Sequence, residues 1–202
     1  LEIDIPYTVF SPNGDGEKDL LIIEQKGSVE HRWRGELTDS SGSVVNTYEW
    51  DSTAPKNVQW NGRTDDGEPY PDGIYTYTIS SVDRAGNRIK RTVDSLRLDT
   101  STAQLTLSRN LNSFSPNEDN KKDVQELVPE VPRPEEVVFW RIEVVSVRSD
   151  KIVRTLSGGP GIPESVRFNG KADSGKTVSD GEFYAQGIIE YKNGSTAEDE
   201  SA

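Results

Sequence analysis

VQWNGRTDDGEPYPDGIYTYTI, Val58 to Ile79, is the run whose reading decides the fold. Ile74 to Ile79 interleaves aromatic and β-branched residues, the composition of a strand. Asp65-Asp-Gly67 and Asp72-Gly73 are turn signals on either side of a short connection. The run also returns. Val58-Gln-Trp-Asn-Gly-Arg63 reappears as Val166-Arg-Phe-Asn-Gly-Lys171, and Asp72-Gly-Ile-Tyr75 as Asp180-Gly-Glu-Phe183.

Working outward, more pairs fall in the same order. Val44-Val-Asn-Thr47 matches Ile152-Val-Arg-Thr155, and Trp33-Arg-Gly-Glu-Leu37 matches Trp140-Arg-Ile-Glu-Val144. Phe10-Ser-Pro-Asn13 matches Phe114-Ser-Pro-Asn117. The offset is 114 − 10 = 104 at the start and 166 − 58 = 108 later, so the second copy carries small insertions, one of them in the Pro-rich Val128–Pro134 stretch. An ordered internal repeat of this length means a duplicated unit. Trp140 to Val144 alternates apolar and charged residues, the period of a strand with one buried face. Further turn signals lie at Asp39–Gly42 and Arg84–Asn87, and no segment sustains a helical stripe. Six or seven short strands in about 100 residues predict a sandwich. The expected fold class is all-β: two tandem Ig-like or fibronectin-III-like β-sandwich domains, residues 1–99 and 100–195. A small, acidic tail, 196–202, is expected to be disordered. The junction near Leu98-Asp-Thr100 is short and Gly-poor, which predicts a semi-rigid connection.

Composition narrows the function classes. The 202 residues carry 35 acidic and 23 basic side chains, a net charge of −12. Both halves are acidic: 18 acids against 11 bases up to Thr100, and 17 against 12 beyond it. Such a surface repels nucleic acid and anionic lipid. Cys is absent, which excludes disulfides and thiolate metal sites. Met is absent too and the chain opens at Leu1, which reads as a segment of a longer protein. No apolar run has the length of a membrane-spanning helix. The lone His31, with no Cys nucleophile and no G-x-S-x-G elbow, gives catalysis no support, so a non-enzymatic role is expected.

The set Val58–Gly67, Pro71–Tyr77 and Val82-Asp-Arg-Ala-Gly86 resembles the Ig-like domain of flagellar hook-capping (FlgD-type) proteins. FSPNGDG is similar to the opening motif of Ig-like modules in large exported bacterial proteins. The resemblance covers nearly all of residues 1–100. It is weaker over 101–195, where Phe168 replaces Trp60 and Ser174 replaces Asp66. It implies an exported module, periplasmic or on the cell surface or beyond it, that spaces, presents or docks. Its partners would be other domains of the parent protein, or a protein or glycan surface.

FSPNGDGEKD, Phe10 to Asp19, admits two readings. As a calcium loop counted from Ser11, it offers Asn13, Asp15, Glu17 and Asp19, with Gly16 in register, but Ile22 stands where the bidentate acid belongs. Affinity would then be weak, about 10⁻⁴ to 10⁻³ M. The second copy keeps Asn117, Asp119 and Asp123 but puts Lys121 where Glu17 was. As a turn, Asn and Asp bond to backbone two residues on, and glycines supply positive φ. Asp65-Asp-Gly67 reads as a hairpin turn. Trp60 and Phe168 read as core plugs. Trp50 has no aromatic counterpart, since Gly158 takes its place. That makes Trp50, with Tyr48, Tyr70, Tyr75 and Tyr77 nearby, the candidate for a carbohydrate- or protein-binding face.

Overall fold

The computed structural model describes residues 1–83 and 85–201; Arg84, part of one expected turn, and Ala202 lie outside the described residues. The chain divides into two compact units, Leu1–Ser101 and Thr102–Ala202.

In the first unit one sheet joins β1 (Glu2–Asp4), β3 (Leu21–Lys26) and β6 (Asn57–Trp60) in the order β1-β3-β6. The other joins β2 (Val9–Phe10), β4 (Arg32–Asp39), β5 (Val44–Asp51), β7 (Gly73–Val82) and β8 (Arg88–Leu98) in the order β2-β8-β7-β4-β5. Apolar residues two apart face inward from both sheets: Leu21 and Ile23 from β3, Trp33 and Leu37 from β4, Tyr75, Tyr77 and Ile79 from β7. They meet Trp60, Leu96 and Leu98 in one continuous core. Two sheets closing on a shared apolar layer make a β-sandwich.

The second unit repeats that order, with no strand in the place of β2 among the described residues. One sheet is β13 (Val166–Phe168), β10 (Gln125–Glu130) and β9 (Thr106–Arg109). The other runs β12 (Lys151–Gly158), β11 (Val137–Ser146), β14 (Phe183–Tyr191) and β15 (Thr196–Ser201). Each strand takes the place of its sequence counterpart: β12 for β5, β11 for β4, β14 for β7 and β15 for β8. Its core falls into two clusters, one around Leu127, Ile142, Val144 and Phe168, the other around Val137, Ile189 and Tyr191.

One expectation is overturned. Thr196–Ser201 is not a disordered tail but the last strand, paired antiparallel with β14 from Glu190↔Thr196 to Ala185↔Ser201. The acids mislead because two of the three, Glu198 and Glu200, take the solvent face, while Ser201 is buried and Ala197 packs on the core. Asp199 is put to use, its carboxylate accepting the Leu107 N–H at 2.7 Å. Period-2 placement outweighs composition here.

Candidate functional site: the paired FSPN loops

The two loops are built bond for bond alike. Ser11 N–H donates to the Lys18 carbonyl (2.9 Å), as Ser115 N–H does to Lys122 (2.8 Å). Inside that closure, side-chain oxygens take the backbone donors two residues on. Asn13 Oδ1 accepts from Asp15 N–H (3.0 Å), and Asp15 Oδ1 from Glu17 N–H (2.8 Å). Asn117 and Asp119 do the same for Asp119 and Lys121 (3.2 and 2.8 Å). One carboxylate then spans each loop. Asp19 accepts Gly14 N–H at 2.6 Å and Gly16 N–H at 2.9 Å. Asp123 accepts Glu118 N–H at 2.9 Å and Asn120 N–H at 2.7 Å.

These bonds force every second residue to positive φ: Gly14, Gly16 and Lys18 at 84°, 93° and 52°, and Glu118, Asn120 and Lys122 at 65°, 64° and 54°. The first copy meets the two steepest positions with glycine; the second meets them with L-residues at a steric cost. The residues singled out in the sequence are thus brought together around backbone amides. Asp15 and Asp19, Asp119 and Asp123 are carboxylate acceptors for N–H groups, and Glu17 stands exposed beside them. Among the described residues, no three His, Asp or Glu side chains converge with metal-ligand spacing.

Each loop is fastened to its core by the residues before it. Phe10 meets Trp60 at 5.4 Å between ring centroids, and Phe114 meets Phe168 at 5.6 Å. Gly62 and Gly170 hold φ of 65° and 70°, and a Cβ on either would strike the proline of its loop, Pro12 or Pro116. The FSPN and W/F-N-G motifs are therefore two halves of one clasp.

Asp65–Gly67 forms a tight turn, with Gly67 N–H donating to Thr64 O and a bridge between Arg63 and Pro69. Trp50 is paired with Trp33 across β4 and β5 and half-buried against the core, its ring stacked on Tyr48 at 5.7 Å and lying over Gly35. Trp60, Tyr75 and Tyr77 are buried, so they present no ring face to a glycan. Burial raises the Tyr48 phenol, with Asp65 nearby, to about 12, and raises that of Tyr77 further, against a bond to Gln25 that lowers it. His31 is exposed.

The second unit carries a feature that the motif reading missed. A groove of about 1100 Å³ opens beside Phe114, Val144, Phe168, Val178 and Phe183. It lies past Ser201, the last described residue of β15, which holds the register position of Val93 in β8.

Residues 3–93 match the family model described as the CHU_C Type IX secretion signal domain, a match over the first unit. The C5a peptidase of Streptococcus pyogenes is 29% identical over 96 residues, covering 37% of this chain. The chain spans 8% of the length of that curated relative. Among solved structures, the fibronectin(III)-like modules of Clostridium thermocellum CbhA align over 99% of this chain and 92% of theirs, at 11% identity and a TM-score of 0.47. A tetra-tandem repeat from the extending region of a large adhesion protein aligns over 98% of this chain and 47% of its own, at 14% identity and a TM-score of 0.37. The chain is that of an exported protein carrying Ig-like modules. Among the described residues no helix is long and apolar enough to cross a membrane.

Proposed function

We propose that the chain works as a non-enzymatic pair of Ig-like modules in an exported bacterial protein, the first unit serving export and the second docking. The observation that carries this reading is the secretion-signal match, which is confined to the first unit although both units share one sheet order. Its polar loops support a structural role. Their carboxylates are spent on backbone donors, and an aromatic clasp holds each loop to its sandwich. In this reading the loops fix backbone shape and calcium adds nothing to them.

The test is export of a reporter joined to residues 1–202 in a bacterium that has Type IX machinery. Surface display that is kept with residues 1–101 and lost with 102–202 is expected. Equal display from either unit, or from neither, would remove the assignment.

A further inference from the structure

In each unit the larger sheet turns one face away from the core. The two-residue period decides which side chains it shows. In β8, Ile89 and Val93 pack on the core, so Arg88, Lys90 and Thr92 turn outward. In β15, Ala197 packs on the core, so Thr196, Glu198 and Glu200 turn outward. Strand pairing carries this face across the sheet in rows. In the first unit Arg32, Val82 and Arg88 stand side by side, and so do Arg34, Ser80 and Lys90. The same rows in the second unit are Phe139, Glu190 and Thr196, then Arg141, Ile188 and Glu198. A third row sets Glu36, Thr78 and Thr92 against Glu143, Gln186 and Glu200. Position for position, four bases and one acid become one base and four acids.

Part of this charge is settled within each unit. Arg34 bridges Glu36 at 2.8 Å, Arg32 approaches Asp51 at 3.6 Å, and Arg141 bridges Glu143 at 3.2 Å. The last strand is where charge is left over. Among the described residues Arg88 and Lys90 join no ion pair, and neither do Glu190, Glu198 and Glu200. Arg88, Lys90, Glu198 and Glu200 are all exposed. Both units are acidic, so an unspent basic strand is the exception in this molecule, and its complement stands at the same register on the other unit. Like faces repel: β8 on β8 sets bases on bases, and β15 on β15 sets acids on acids. Only the unlike pair attracts.

We propose that the chain associates with a second copy of itself, the β8 face of one copy's first unit docking on the β15 face of the other copy's second unit. Two faces with one strand order meet in either of two ways. Turned about an axis along the strands, they set Lys90 on Arg141 and Glu36 on Glu200, like on like. Turned about an axis across the strands, they lay β8 over β15 in the opposite direction, so that Arg88 meets Glu200 and Lys90 meets Glu198. The second is the docked arrangement. Each copy carries one face of each sign, so the contact is heterologous and repeats from copy to copy. Three rows on three strands fall short of the roughly 20–30 residues a side of a stable interface, so the association is weak and salt-dependent. The proposal names a partner for the docking unit and rests on that reading of it. Its test uses purified protein and so fails or succeeds apart from export.

The experiment is sedimentation of the 202-residue protein over a concentration series, at about 0.01 M and about 1 M salt, where charges are screened beyond about 30 Å and about 3 Å. The mean mass is expected to rise with concentration at low salt and to stay that of one chain at high salt. Lys90→Gln and Glu198→Gln should each weaken association by about 2- to 5-fold, the worth of one exposed ion pair. Charge exchange is the decisive arm. Arg88→Glu with Lys90→Glu makes both faces acidic, and Glu198→Lys with Glu200→Lys makes both basic. Each double variant alone should stay monomeric, a mixture of the two should associate, and the chain carrying all four changes should associate again. All four positions are exposed, so circular dichroism should show every variant folded. A mass independent of concentration at low salt overturns the proposal, as does association that survives either reversal or a mixture that fails to associate. A sedimentation coefficient that falls on reversal without depending on concentration would join the two faces within one chain, and would also overturn it.

Discussion

Across from Trp33 in the first unit stands Trp50; across from Trp140 in the second stands Gly158. The bulk has moved to the neighbouring strand. Gly35, which leaves room for Trp50 and the Tyr77 hydroxyl, has Ile142 as its counterpart. Tyr77 itself becomes Ala185, and Gln25, its hydrogen-bond partner at 2.8 Å, becomes Pro129. The duplicated units thus keep one backbone plan while trading volume between positions, as close-packed interiors require. The slot beside Phe10, which Leu96 and Leu98 fill in the first unit, corresponds in the second to positions beyond Ser201, the last described residue of β15.

The largest expected effect tests that difference directly. Leu98→Ala and Leu96→Ala each cut a fully buried side chain out of the first unit, and should each cost about 2–5 kcal/mol in denaturant unfolding. If either single change costs under about 1 kcal/mol, the two leucines are not what closes the core of the first unit.

Next comes the volume trade. Gly35→Ile places a Cβ at 2.9 Å from the Trp50 ring and 2.7 Å from the Tyr77 hydroxyl, overpacking worth about 1–3 kcal/mol. Made together with Trp50→Gly and Tyr77→Ala, its own cost should fall by at least about 1 kcal/mol, a coupling readable in a mutant cycle. Strict additivity would mean that the three positions are not exchanging volume.

How much of this was legible in the sequence follows from what each signal depends on. The duplication, the strands and the clasp motifs rest on spacing and on turn chemistry, which are local, so Phe10–Asn13 and Val58–Gly67 announced themselves. Trp50 was harder. Its lack of an aromatic counterpart suggested a special role, but whether a ring on an edge strand faces core or solvent depends on which residue lies across from it, here Gly35 rather than a bulky side chain. The last strand was misread because Glu198 and Glu200 sit on the outward face of a two-residue period and Asp199 is engaged by the Leu107 amide.

Alkali should separate the units in turn. In the first, burial raises the phenols of Tyr7, Tyr48, Tyr75 and Tyr77, that of Tyr48 to about 12. Leu156 and Ala185 take the places of Tyr48 and Tyr77 in the second. A phenol whose folded pKa exceeds its unfolded value of about 10 favours the folded state fully below pH 10. That contribution is lost as pH rises from 10 through about 12. The first unit should therefore lose stability over that window more steeply than the second, as read by circular dichroism on the separated units. Parallel curves would mean that the tyrosines reach solvent.

The smallest effect lies in the loops, where the backbone is alike and the side chains at the positive-φ positions differ. Asp123 gathers the Glu118 and Asn120 amides as Asp19 gathers those of Gly14 and Gly16, but Glu118 holds φ of 65° with a side chain in place. Left-handed backbone costs an L-residue about 1–2 kcal/mol, less for Asn, which tolerates it. Glu118→Gly gives some of that back to the greater entropy of an unfolded glycine. A net gain of about 1 kcal/mol in the second unit is expected, and little from Asn120→Gly. The converse change, Gly14→Glu, should cost the first unit a similar amount. If calcium at millimolar concentration raised the melting temperature more than Glu118→Gly does, and Asp15→Ala abolished the rise, the carboxylates would be serving an ion rather than the amides they reach.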